Sequence, residues 1–195
     1  MLPCCKADKL GWERFDVEQS WLPTMLRCLI VGENPGGPSS EYFYERPASY
    51  ESDEVDVRKG LLRGLREQHL IGEPTLEGFR DAGFLFDHAI RCQLDPEVVR
   101  SEREKAKRYA CKRVENPDHL RPWIARAPVV WVMGHLASNA VANATRDFPK
   151  EKRKISMPPY PAELAAGSRF FLSEYLTWRT QAKASAFAEA FAEFG

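Results

Sequence analysis

The stretch that decides the fold is Leu29-Ile30-Val31-Gly32-Glu33-Asn34-Pro35-Gly36-Gly37. An apolar, β-branched run stops at a Gly-Glu-Asn-Pro-Gly segment, which predicts a buried parallel strand that ends in a tight loop. In open α/β sheets, ligands bind in the crevice beyond the carboxyl ends of the strands. Glu33 and Asn34 would then stand at such a site, on a backbone bent by the glycines and proline around them. The alternative is a strand-to-loop turn without chemistry.

Two further segments have the same form. Residues 84–92 (Phe-Leu-Phe-Asp-His-Ala-Ile-Arg-Cys) and residues 128–134 (Pro-Val-Val-Trp-Val-Met-Gly) predict the second and third strands, and a short fourth strand is predicted to begin at Ile155. Helical patterns lie between and after these strands, at residues 55–69, 76–82, 96–114, 136–141 and 168–194. Strands that alternate with helices predict an α/β fold, in which a mostly parallel sheet carries helices on both faces.

The pentapeptide at residues 32–36 resembles motif one of the uracil-DNA glycosylase superfamily. The type-four, iron–sulfur members carry Gly-Glu-Ala-Pro-Gly there, and the mismatch-specific and single-strand-selective members carry Gly-Ile-Asn-Pro-Gly or Gly-Met-Asn-Pro-Gly. Residues 84–92 and 128–141 are similar to the second and third core strands of type-four members, and residues 157–164 fall at their motif two. The resemblance implies a single domain over residues 1–195, with a three-layer α/β/α fold and a central, mostly parallel four-stranded sheet.

Length and charge set further bounds. The 28 basic and 28 acidic residues of this 195-residue chain cancel, so the overall charge does not favour nucleic-acid binding, and any DNA contact must be local. No stretch approaches the ~20 apolar residues of a membrane span, and the first residues do not resemble a secretion signal. We therefore expect a cytoplasmic protein without a membrane partner that acts as a monomer.

The five cysteines are an odd number, which argues against a disulfide framework in a cytosolic chain. Type-four relatives hold a [4Fe–4S] cluster on four cysteines, and Cys4, Cys5, Cys92 and Cys111 occur in the matching order. The relatives begin with Cys-x-x-Cys, however, whereas Cys4 and Cys5 are adjacent. We therefore expect no metal and no cofactor, and the alternative is a cluster on these four thiolates.

Base excision needs a pocket for the flipped base, a polar group that reads its Watson–Crick edge and a positioned water. By the resemblance, Asn34 positions the water, and Gly32 and Glu33 contact the base; the Glu33 carboxylate alternatively orients loop groups. His88 replaces the Asn that reads uracil in relatives. A neutral His offers one donor and one acceptor where Asn offers two donors and an acceptor, so a wider range of bases is expected. The alternative for His88 is a structural histidine at a strand end.

Aromatic side chains follow motif one. Tyr42, Phe43 and Tyr44 lie near the place where relatives carry the ring that stacks on uracil, and Phe43 is the preferred candidate. Base stacking on an aromatic side chain contributes roughly 1–3 kcal/mol. At least one of the three rings is expected in the core instead. His135, which follows the third strand, is a further candidate for a base contact.

Motif two lacks the His of the family, and Tyr160 stands nearest to its position. Tyr can donate one hydrogen bond to the leaving base but cannot carry positive charge at neutral pH. Alternatively Tyr160 wedges into the duplex from a loop that Pro159 and its neighbouring prolines stiffen. A local phosphate patch is predicted, with a solvated charge run as its alternative, at Lys152, Arg153, Lys154 and Arg169.

These residues predict an enzyme, a monofunctional uracil-DNA glycosylase whose partner is uracil-containing DNA and whose product is an abasic site. One alternative is a protein of the same fold that binds DNA or abasic sites with little turnover, because the motif-two His is missing. Another is a nucleotide- or phosphate-binding α/β protein that uses the loop of residues 32–37. That reading is weakened because no Lys-Ser/Thr pair follows the loop.

Overall fold

The computed structural model describes residues 15–35, 42–45, 57–92, 117–147, 162–164 and 168–173. In chain order its helices and strands are β1 (Cys28–Gly32), α1 (Val57–Glu67), α2 (Leu76–Asp81), β2 (Phe84–His88), α3 (Arg121–Ile124), β3 (Val129–Met133), α4 (His135–Ala144), β4 (Ala162–Leu164) and β5 (Ser168–Ser173). The first three predicted strands are thereby confirmed, as are the helices predicted around α1, α2 and α4.

The strands form one sheet in the order β2-β1-β3-β5-β4. The first four of these run parallel, and β4 pairs antiparallel with β5. A mostly parallel sheet with helices in its connections confirms the α/β class. Four strands were expected from the resemblance, whereas the sheet has five. The predicted helix and fourth strand at residues 96–114 and from Ile155 lie outside the described residues.

The helix predicted from residue 168 is wrong over Ser168–Ser173, which forms β5. The stretch Arg-Phe-Phe-Leu lies in this segment, and aromatic residues favour strands. Its pairing with β3 in parallel register from Val129 to Met133 supplies the long-range hydrogen bonds that no local helical pattern reveals.

Strands β1, β2 and β3 form the buried part of the sheet. Every residue of these three strands is buried, as expected for parallel strands that are covered on both faces. Helix α1 buries Leu61, Leu62 and Leu65, spaced as one helical face requires, and α4 buries its apolar residues with the same spacing. In the part of the chain that the structure describes, no helix is long and apolar enough to cross a membrane.

The chain reverses its direction across the sheet at β1. Strand β2 lies on one side of β1, and β3 lies on the other. In doubly wound sheets, such a reversal leaves a crevice at the carboxyl ends of two neighbouring strands, here β1 and β3. Ligands bind in that crevice. Here the crevice is bordered by Glu33, which follows β1, and by Gly134 and His135, which follow β3.

Candidate functional site at the strand ends

The ends of β1 and β2 lie side by side. Gly32 pairs with His88 in the parallel register, and the chain beyond β2 remains close, because the amides of Ala89 and Ile90 donate to the carbonyls of Gly32 (2.8 Å) and Glu33 (3.0 Å). The loop that carries Asn34 therefore starts beside the end of β2, although 50-odd residues separate them in sequence. The structure brings together the two motifs that the sequence analysis singled out.

Gly32 is required by close packing at this edge. A Cβ atom built there would lie 2.9 Å from Cζ of Phe86 and 3.2 Å from Cδ2 of His88. Real Cβ atoms do not approach neighbours this closely, so any larger residue would displace both rings. The glycine of motif one thus makes the space in which the His88 imidazole lies against β1.

His88 is buried, with 6% of its surface exposed. Burial lowers its pKa to about 4, so the imidazole is neutral at physiological pH. Its Nδ1 atom is buried and has no hydrogen-bond partner among the described residues. Cδ2 is the ring atom that lies against Gly32, so Nδ1 is on the other side of the imidazole, away from Gly32. A neutral ring nitrogen in this position can read one donor or acceptor of a ligand.

Glu33 reaches across the crevice to α4. Its Oε1 accepts a hydrogen bond from the amide of Leu136 (3.2 Å), in the first turn of that helix. Gly134 makes the contact possible: its φ is +95°, and a Cβ there would lie 2.5 Å from Glu33 Oε1. The carboxylate therefore occupies the positive end of the helix dipole, where an anion is stabilised. This contact corresponds to the alternative in which Glu33 orients loop groups.

Asn34 and His135 lie nearby on the same edge. The Asn34 amide Nδ2 donates to the carbonyl of Pro35 (2.9 Å), which holds the partly buried side chain against its own loop. His135 is exposed at the first position of α4, between Gly134 and Leu136, the two residues that contact Glu33. Their assigned roles in catalysis and base contact remain predictions.

The three aromatic candidates are all buried, and they do different things. Phe43 stacks on Phe86 with ring centroids 4.5 Å apart and packs among other core rings. The Tyr44 hydroxyl donates to the carbonyl of Phe86 (2.9 Å) and accepts from its amide (2.7 Å). These two bonds satisfy the backbone groups of Phe86 on the outer side of β2. Tyr42 is the ring that faces the strand end, 6.0 Å from the imidazole of His88. Of the three, Tyr42 is therefore the ring positioned beside the candidate reader.

Arg58 holds the turn that carries these rings, and the sequence analysis missed it. Its side chain is buried in α1, and Nη1 donates to the carbonyls of Phe43 (3.2 Å), Tyr42 (3.4 Å) and Glu45. A signal was available, because Arg58 lies three and seven residues before Leu61 and Leu65, on the apolar face of the helix. A basic residue on such a face indicates a buried partner.

A buried ion pair below His88 was also missed. Asp87 is almost fully buried and accepts from Arg91 Nε (2.9 Å) and Nη2, and from the amide of His88 (2.7 Å). Arg91 Nη1 donates to Asp16 (2.8 Å). Burial alone would lower the pKa of Arg91, but its hydrogen bonds to the two carboxylates raise it instead. His119, for which no role was predicted, lies here too, with Nε2 at 2.8 Å from the carbonyl of His88.

The predicted DNA-binding residues are not brought to this edge by the described part of the chain. Arg169 pairs with Val129 at the beginning of β3, so its backbone lies at the amino end of that strand. At the rise of a β-strand, this position is about 13 Å from the carboxyl ends that carry the candidate site. The remaining members of that group lie outside the described residues, namely Lys152, Arg153, Lys154, Pro159 and Tyr160.

Of the cysteines, Cys28 and Cys92 are described, and both are buried thiols. Burial raises the pKa of Cys28 well above its usual value, so it is an inert core residue in β1. The other members of the alternative cluster set, Cys4, Cys5 and Cys111, lie outside the described residues. Within the described ranges, no group of three or more His, Cys, Asp or Glu side chains is arranged to hold a metal ion.

No protein-family model matches this chain, and no curated protein matches it.

Proposed function

We propose that this protein is a monofunctional DNA glycosylase that flips uracil out of DNA, hydrolyses the N-glycosidic bond and leaves an abasic site. The observation that carries the proposal is the convergence of Asn34 and the neutral, buried His88 at the ends of adjacent strands, with Tyr42 beside them. A polar loop tip, a reader of the base edge and an aromatic ring are the parts that base excision needs.

Each residue has a distinct role in the proposed reaction. His88 Nδ1 forms a hydrogen bond with the edge of the extruded base, and Tyr42 contacts its face. Asn34 orients the water that attacks the sugar as the bond to the base breaks with oxocarbenium character. An amide is a weak base, but it suffices when the bond breaks before water attacks. Because His88 has fewer donors than Asn, we propose that other deaminated or modified bases are also accepted.

The contact between Glu33 and α4 counts against the phosphate-binding reading. The phosphate-binding alternative places an anion on the loop of residues 32–37, and Glu33 belongs to that loop. Here the Glu33 carboxylate already accepts from the amide of Leu136, and a second anion at the same position would be repelled. A neutral base beside His88 meets no such repulsion.

The second candidate function is a protein that binds DNA or abasic sites with little turnover. It is favoured by motif two, where Tyr160 stands in place of the family's His and cannot stabilise the leaving base as a cation. Both candidates use the same phosphate contacts, which we assign to Lys152, Arg153 and Lys154. Both act on DNA as a monomer.

We further propose the three-layer α/β/α arrangement of the uracil-DNA glycosylase superfamily. Its support is topological: the crossover from β1 to β2 runs in one direction across the sheet, and that from β2 to β3 runs in the other. Right-handed crossovers of opposite direction carry their helices on opposite faces. Every residue of β1, β2 and β3 is buried, which agrees with helical layers on both faces of the sheet.

The proposed hydrolysis uses no metal and no cofactor. The thiol set that a [4Fe–4S] cluster would need is Cys4, Cys5, Cys92 and Cys111. Adjacent Cys4 and Cys5 depart from the Cys-x-x-Cys of the relatives, and two neighbouring thiolates reach one cluster only with backbone strain. Iron analysis of the purified protein tests this point, and about four irons per chain would overturn it.

One assay tests the proposed function and its alternative. The full-length protein is incubated with a uracil-containing oligonucleotide and then with alkali, which cleaves at abasic sites, and a thymine oligonucleotide is the control. Cleavage of the uracil strand alone supports the glycosylase. Retention of the strand without cleavage supports the binding protein, and the absence of both contradicts the two together.

A further inference from the structure

Tyr42 and His88, the two residues proposed to contact a base, are shielded from solvent in this structure. Tyr42 and His88 each have only 6% of their surface exposed. The ring of Phe15 stacks on Tyr42, with centroids 4.6 Å apart and planes 29° apart. A stacked aromatic ring at this spacing makes the contact that a flat ligand ring would make with a tyrosine. Phe15 thus occupies a face of Tyr42 that a ligand would need.

The backbone of Phe15 and the side chain of Asp16 both form hydrogen bonds with Arg91, just beyond the end of β2. The Phe15 amide donates to the carbonyl of Arg91 (2.8 Å), and the Asp16 carboxylate accepts from Arg91 Nη1 (2.8 Å). We call residues 15–16 the cover segment. Half of the Asp16 side chain is exposed, so water and salt reach this ion pair. The Arg91–Asp87 pair on the other side is buried and anchors Arg91 whether or not the cover segment is in place.

The Nδ1 atom of His88 supplies an independent observation, because it is buried and has no hydrogen-bond partner among the described residues. A buried polar atom without a partner is rare, and one at a strand end marks a place where a hydrogen-bonding group is expected. Nδ1 lies on the side of the ring away from Gly32, and the imidazole lies beside Tyr42, with ring centroids 6.0 Å apart.

We propose that the cover segment is a gate, in which Phe15 holds the place of a planar ring on Tyr42 and the Asp16–Arg91 ion pair keeps it closed. Opening exchanges one ring stack for another, so a flat heterocycle replaces Phe15 without loss of aromatic contact. The identity of that heterocycle as an extruded nucleobase rests on the proposed function. The opening of the gate does not depend on it.

Hydroxyl-radical footprinting, read at single residues by mass spectrometry, tests the gate. Tyr44 is the internal control, because it is as buried as Tyr42 but is held by Phe86 rather than covered by Phe15. Asp16→Asn should raise labelling of Tyr42 about two- to fivefold. Loss of an exposed ion pair should increase the population of open molecules by about this factor. Phe15→Ala should raise the Tyr42 labelling further, and Tyr44 should not change in either variant.

Two controls separate the gate from general loosening. Asp81→Asn removes another exposed ion pair, with Arg80, and should leave Tyr42 labelling at the wild-type level. High salt screens exposed charges, so it should raise Tyr42 labelling in the wild type but not in Asp16→Asn. If Phe15→Ala does not fold, Asp16→Asn and the salt dependence decide. Unchanged Tyr42 labelling in Asp16→Asn, or an equal rise at Tyr44, would overturn the proposal.

A ligand experiment tests the exchange of rings. A uracil-containing oligonucleotide at saturation, with binding followed by fluorescence anisotropy, should protect Tyr42 of Asp16→Asn from labelling and leave Tyr44 unchanged. Binding without protection of Tyr42 would overturn the exchange while the proposed function stands. An oligonucleotide that is neither bound nor cleaved contradicts the proposed function, and the comparison of Tyr42 with Tyr44 in the free protein still decides the gate.

Discussion

At the switch point, a carboxylate on the loop after β1 is hydrogen-bonded into the first turn of α4, and the glycine opposite it admits no side chain. At the outer edge of β2, by contrast, a phenyl ring covers Tyr42 and is held through an exposed ion pair. A helix-capping hydrogen bond contributes about 0.5–2 kcal/mol, and the one made by Glu33 is partly buried from solvent. An exposed ion pair contributes about 0.2–1 kcal/mol and is screened by salt. We therefore expect the first region to act as a fixed frame and the second to open more readily.

Asp87 holds Arg91 at the end of β2, and its loss should have the largest effect. Asp87→Ala leaves Arg91 without its buried partner, which should lower the free energy of unfolding by about 3–5 kcal/mol. Urea denaturation measures this loss. Asp81→Ala, which breaks an exposed pair, is the matched control and should stay near the wild type. An equally small loss for both would mean that Asp87 does not anchor the end of β2.

The tip of the fixed frame should control the rate of excision. Asn34→Ala should lower the single-turnover rate about 10²–10³-fold, the loss expected when one preorganised polar group is removed from a reacting centre. We expect the variant to fold, since Asn34 lies at a loop tip after β1 and its side chain is only partly buried. Asn139→Ala, an exposed change in α4, is the control. A folded Asn34→Ala variant with wild-type turnover would contradict the assigned role.

His88, behind the cover, should make stability depend on pH. Its pKa is lowered by burial to about 4, below its ordinary 6.5, so the unfolded chain takes up the proton first. The contribution is fully present above about pH 6.5 and is lost as the pH falls through about 4, by roughly 3 kcal/mol at 1.36 kcal/mol per pKa unit. His88→Asn should abolish this part of the pH slope, and exposed His135→Asn should not. Equal slopes in all three proteins would show that His88 is accessible to protons in the native state.

The smallest effect concerns Glu33 and distinguishes a capping role from a catalytic one. Glu33→Gln retains an acceptor for the Leu136 amide, whereas Glu33→Ala removes it and should cost about 1 kcal/mol of unfolding free energy. If Glu33 acts by orienting the loop, excision should survive in the Gln variant and fall in the Ala variant. Loss of excision in both, with stability retained in the Gln variant, would require the negative charge itself.

The first three strands and the helix after β1 were predictable because their signals are local. The apolar runs at β1, β2 and β3 and the spacing of Leu61, Leu62 and Leu65 in α1 can be recognised within a few residues. Strand β5 was missed because its partner is β3, some forty residues earlier, and its short apolar run lies in a stretch that also fits a helix. The position of Arg169 at the far edge of the sheet follows from that strand and was equally hidden.

The sequence by itself determined that the apolar runs of the first and third strands stop at Gly32 and at Gly134. Only the tertiary structure decided how the polar residues beyond those ends are used. Glu33 bonds to Leu136, and Asp16 bonds to Arg91, across 103 and 75 residues of chain. Secondary structure follows from the preferences of neighbouring residues, but a hydrogen bond forms only where folding brings donor and acceptor within about 3 Å. A local pattern contains no information about which distant residue that will be.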